Sequence, residues 1–182
     1  MDMVIFKGEM CMLSKADIEK YFIAEKQESL VFGVIGLVAI GLALIFYFGL
    51  KNPVYRGAAI PLLILGLVQA SAGYAVFTRS DDQRISQVYA YDMNPDQLKT
   101  TELSRMRNVT ARFRIYRWIE TGSFIAGLIL IFLFRNQAGR IFWVGFGITL
   151  TLMAAELFIA DYIAEQRAVH YVSLLEEFNR KS

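Results

Sequence analysis

The chain has 182 residues, 55% of them hydrophobic and 14% aromatic, with a mean hydropathy of +0.40 and a net charge of +2. This is the composition of a single domain that lies partly in lipid and keeps a polar remainder. The only cysteine, Cys11, excludes an intrachain disulfide, and the only histidine, His170, lies too far from it in sequence for a His/Cys metal site.

Residues 1–13 are too short for a cleavable signal peptide, and a charged stretch follows them. They read as a flexible leader with several possible starts at Met1, Met3, Met10 and Met12. The remainder, residues 14–182, reads as one four-helix transmembrane domain. Ser14-Lys-Ala-Asp17 is a capping box that opens a first helix, with a polar foot over 14–29 and an apolar span over 30–50. Gly33, Gly36 and Gly41 inside it would allow close helix approach.

Lys51-Asn-Pro-Val-Tyr-Arg56 reads as a tight turn, followed by a second span over 57–78. Gln69, Ser71 and Tyr74 are its polar members, and Gly66 and the small residues Ala70 to Gly73 form a packing seam. The helix should continue beyond the span, with Ile85, Val88 and Tyr89 as an apolar stripe. Asn94-Pro95-Asp96 marks a break and a new start. A third helix then carries the rest of a foot spanning 79–116 and a span over 117–134. The basic turn Arg135-Asn-Gln-Ala-Gly-Arg140 leads to a fourth span over 140–161 and a last foot over 162–180, with Val169, Val172, Leu175 and Phe178 as its stripe.

The fold class expected is therefore all-α: an integral membrane four-helix bundle extended by helical feet on one side. That side holds fifteen of the nineteen Lys and Arg residues, so the termini are expected in the cytoplasm, as in a multi-pass protein of a bacterial inner membrane. Trp118 and Trp143 sit where an aromatic belt would place them. The two hairpins also echo each other. Lys51-Asn-x-x-x-Arg56 matches Arg135-Asn-x-x-x-Arg140, either as a parallel duplication or as chance similarity between basic turns.

Each helix of the second hairpin carries an acid inside its apolar run. Glu120 lies fifteen positions before Arg135 and Glu156 sixteen after Arg140, so both sit roughly 22–24 Å from the turn at a rise of about 1.5 Å per residue. Carboxylates at that depth are expected to face inward, toward each other or toward Arg117, which precedes Glu120 by three positions. Glu120, Glu156 and Arg117 are the primary ligand- or ion-binding candidates. Gln69, Ser71, Tyr74, Arg167 and His170 are secondary ones, with Arg167 and His170 read as a polar contact of the foot. Asp161 and Glu165 fall off the Glu156 stripe and are expected to meet solvent or a neighbour.

No Glu-x-x-His pair, nucleophile elbow, P-loop or dinucleotide fingerprint occurs, so no catalytic residue, metal or cofactor is expected. The expected partners are the bilayer, anionic headgroups at Arg105, Arg107, Arg112 and Arg114, further copies of the chain, and a protein docking on the cytoplasmic foot, but no nucleic acid. Three functions fit: a non-enzymatic accessory, sensor or immunity-type interaction protein; an oligomeric ion or proton channel or small transporter using Glu120 and Glu156; or a lipid-modifying enzyme with those acids as acid and base.

Overall fold

The computed structural model describes residues 13–181. Among them there is no strand. Four helices are long and apolar enough to cross a membrane: α1 (Lys15–Gly49), α2 (Pro53–Met93), α3 (Pro95–Phe134) and α4 (Ala138–Arg180). Each is roughly twice the hydrocarbon thickness at about 1.5 Å per residue, so each divides into an apolar half and a polar foot.

The boundaries follow local chemistry. The Ser14 hydroxyl accepts from the Asp17 N–H at 3.3 Å, and the Asp17 carboxylate accepts the Ser14 N–H at 3.0 Å, completing the capping box. Ser14→Ala is expected to cost about 1 kcal/mol, read as faster amide hydrogen exchange over the first turn of α1. α2 starts earlier than the sequence suggests. The Asn52 side chain accepts from the Val54 N–H at 3.0 Å, and Pro53 takes the first helical position, where its missing N–H is no loss. The break before α3 lies where expected, but the Asn94 side chain makes no capping bond. The first turns of α3 also widen over Leu98–Glu102 into a π-type turn.

The feet pack around an apolar core. Ile18, Tyr21 and Phe22 of α1 meet Ala90 of α2, Met106 of α3 and Tyr171 of α4, among others. Tyr21 and Tyr171 stack with centroids 4.3 Å apart. Burial raises the pKa of both phenols, which stay neutral. Leu13 belongs to this core, with 1% of its surface exposed, and the Tyr91 hydroxyl donates to its carbonyl. The rest of the expected leader, including Cys11, lies outside the described residues.

One stripe differs from expectation. The foot of α2 buries Ser80, Gln87 and Ala90 and leaves Ile85 and Tyr89 exposed, so that of the expected stripe Val88 alone packs against the core. Ala90 packs in the same core as the rings of Tyr21, Phe22 and Tyr171, while the Ser80 hydroxyl donates to Glu25 of α1. Val169 of α4 is likewise exposed, while Ala168 and Leu175 are buried.

In the apolar halves the helices form a row in the order α1, α2, α4, α3. The main packing is α1 on α2, α2 on α4, and α4 on α3, while α1 and α3 share no comparable backbone packing. Each interface closes over glycines. A Cβ on Gly36 would lie 2.6 Å from the Ala70 nitrogen, and one on Gly73 2.6 Å from the Gly33 nitrogen. Gly127 and Gly147 do the same between α3 and α4, and Gly57 and Gly145 between α2 and α4. Gly41 faces open space, so it takes no part in a seam within the chain.

Candidate functional site

α4 is the central helix, and its two inward faces carry the two acids of its apolar half. Glu156 faces α2, where the Gln69 amide nitrogen donates to its carboxylate at 2.6 Å. Gln69 is completely buried, and its carbonyl oxygen has no donor. Asp161 lies five positions on and turns to α3, where its side chain comes within hydrogen-bond reach of Glu120. Glu120 has 8% of its surface exposed.

The three acids thus converge, but not as one pair. Glu120 has Asp161 as its immediate partner and feels the Glu156 and Arg117 charges from further off. Arg117 forms its ion pair with Glu165, not with Glu120. Ser71 and Tyr74 point outward from α2, away from the acids. Arg167 joins Glu28 of α1 in an ion pair and lies over the Tyr21 ring at 5.6 Å, while His170 is exposed.

Of these groups, Glu28, Glu156, Asp161 and Arg167 border a groove of about 570 Å³ at the junction of apolar halves and feet, and Glu120 and Gln69 stand outside its lining. It lies where α1 and α3 stand apart. Phe32, Val76, Phe113 and Ala160 contribute one apolar wall residue from each helix. Glu156 and Asp161 lie on the α4 side, and the Glu28–Arg167 pair borders the end toward the feet, together with Arg79 and Arg112.

Of the four arginines considered for headgroups, two are engaged within the feet. Arg105 is held by Glu102 through two bonds of 2.7 and 2.8 Å, and Arg107 by Glu176 at 2.7 Å. Burial works against the charge on Arg105, but the Glu102 carboxylate more than offsets it and raises its pKa. Arg112 borders the groove, and Arg114 is exposed. On the exposed surface of the feet, the Lys26 ammonium, with the attraction of Arg84 added, lowers the Asp81 pKa.

Among the described residues, no group of three or more His, Cys, Asp or Glu side chains is arranged to hold a metal. The groove therefore offers carboxyl oxygens, one amide carbonyl nearby, aromatic edges and apolar walls. That is equipment for holding a ligand or a proton. Comparison with family models, curated proteins and solved structures gives no match.

Proposed function

We propose that this chain is a non-enzymatic membrane protein of the accessory, sensor or immunity-type interaction class, and that it works by binding at the groove between α1 and α3. The observation that carries this reading is the way the row of helices closes. At the α2–α4 crossing, a Cβ on Gly57 would run into the Phe142 carbonyl and one on Gly145 into the Val54 carbonyl. Backbones this close leave no space between those helices for a file of water. The acids are thus reachable from the foot end and from the side, which suits a binding site better than a passage through a single copy.

In this reading the protein sits in a bacterial inner membrane with its feet and termini in the cytoplasm, following the excess of basic residues on that side. The packed feet are the surface for a protein partner. Arg112 and Arg114 meet anionic headgroups, and α3, whose apolar half leans on α4 alone, is where further copies would pack. A lipid-modifying enzyme is less well supported, because no nucleophile stands beside the acids.

The approach of Glu120 to the acids of α4 favours a second reading, an oligomeric ion or proton channel or small transporter using Glu120 and Glu156. Flux in proteoliposomes separates the two. We expect no proton or potassium flux above that of empty vesicles. Flux that disappears in Glu120→Gln and Glu156→Gln would replace the binding reading with the second.

A further inference from the structure

We propose that the groove takes a lipophilic organic cation: a protonated amine on an apolar body, entering sideways from the bilayer between α1 and α3. This rests on the binding reading and names the class of ligand. The first ground is shape. The groove runs along the seam where α1 and α3 do not pack, so an amphiphile can reach it without crossing the bilayer.

The second ground is charge. In the apolar half, the polar groups that α4 presents to the groove are two carboxyls, Glu156 and Asp161. Glu156 has one oxygen committed to Gln69, the Gln69 carbonyl behind it has no donor, and Asp161 leans on Glu120. The charged groups bordering the groove are Glu25, Glu28, Arg79, Arg112, Glu156, Asp161 and Arg167. Arg167 is already neutralised by Glu28, and Arg79 and Arg112 stand on α2 and α3, at the edge toward the feet. An anionic head placed at the acids would lack a donor and meet carboxylates. An ammonium meets two carboxyls, of which Glu156 keeps one oxygen free of the Gln69 amide.

The third ground is the walls. Phe32, Phe113 and Tyr116 present aromatic rings, which attract cations as well as apolar surface, and a neutral apolar molecule would gain only the second of these.

The test uses the full chain in phosphatidylcholine nanodiscs, with empty nanodiscs as the baseline. The probes are 1-pyrenemethylamine and its neutral N-acetyl derivative, which share one apolar body and differ in charge. Saturable binding of the amine is expected, about tenfold or more tighter than that of the amide, the scale of one charge-assisted hydrogen bond. Glu156→Gln keeps the side-chain shape and is expected to remove that preference. Ala164→Trp fills the groove while leaving every acid in the sequence in place, and is expected to abolish binding of the amine. Equal binding of amine and amide, or a preference unchanged in Glu156→Gln with Ala164→Trp still binding, would overturn the proposal.

The same protein tested for flux keeps the two conclusions distinguishable. Amine preference with transport sinks the binding reading and leaves the ligand class standing. The absence of both sinks the ligand class alone.

Discussion

Arg105→Ala is expected to be among the most damaging single substitutions in the feet, lowering stability by about 3–5 kcal/mol, the usual cost of leaving a buried charge without its partner. The Glu102 side chain is only 2% exposed, and Arg105 is the group that neutralises it. Tyr21 and Tyr171 lie within reach of the Glu102 charge, Met106 accepts from Arg105, and the guanidinium covers the side of Glu102 toward solvent. For a chain of this size the loss corresponds to a fall of about 10 °C in the melting midpoint, followed by circular dichroism in detergent. The double variant Glu102→Leu/Arg105→Met should recover most of it, because an apolar pair of similar volume removes the charge along with its partner and keeps the packing over Phe22. A double variant no more stable than Arg105→Ala would mean that the pair holds the foot by geometry and not by charge balance.

The second large effect is expected at the α2–α4 crossing. Gly145→Val should destabilise the apolar half by about 3 kcal/mol or more, since the new carbons must push the two backbones apart. Gly57→Val faces the same crossing from the other helix. Its effect should therefore be less than additive with that of Gly145→Val, because the first substitution already opens the gap. Gly41→Val is the internal control: its position faces open space, and a change within about 0.5 kcal/mol is expected. Unfolding curves in mixed micelles give all four values. Equal losses at Gly41 and Gly145 would show that glycine matters here through helix propensity and not through contact.

How far the fold was readable from the residues follows from what each signal depends on. The four helices rest on hydropathy and length, and the N-terminus of α1 rests on a capping box, all of which are local. The buried face of the α2 foot is chosen by its neighbours. Ile85 and Tyr89 make the stronger stripe in isolation, yet it is Ala90 that packs in the core with Tyr21, Phe22 and Tyr171, and Ser80 that meets Glu25 of α1.

The site divides in the same way. Glu120 and Glu156 stood out as acids in apolar runs, and Gln69 as a polar residue in one. Asp161 lies about 140° around α4 from Glu156 at 100° per residue, which by periodicity alone turns it away from a single buried face. That inference assumes one buried face. α4 is packed on both sides, so opposite faces are both interior, and only the order of helices in the row reveals this. The ion pair of Arg117 with Glu165, in place of Glu120, has the same origin: the partner came from the neighbouring helix, not from the next turn.

The claim on which everything else depends is that the acids of the apolar half face a groove reachable from the feet, and not the acyl chains. It is tested most directly by single cysteines placed on a Cys11→Ser background in nanodiscs and exposed to a cationic thiol reagent that does not enter lipid. Glu156→Cys and Asp161→Cys should be labelled rapidly, while Ser71→Cys, on the outward face of α2, should react only with a lipid-soluble maleimide. Labelling of Ser71→Cys by the cationic reagent, with Glu156→Cys and Asp161→Cys protected from it, would contradict the arrangement.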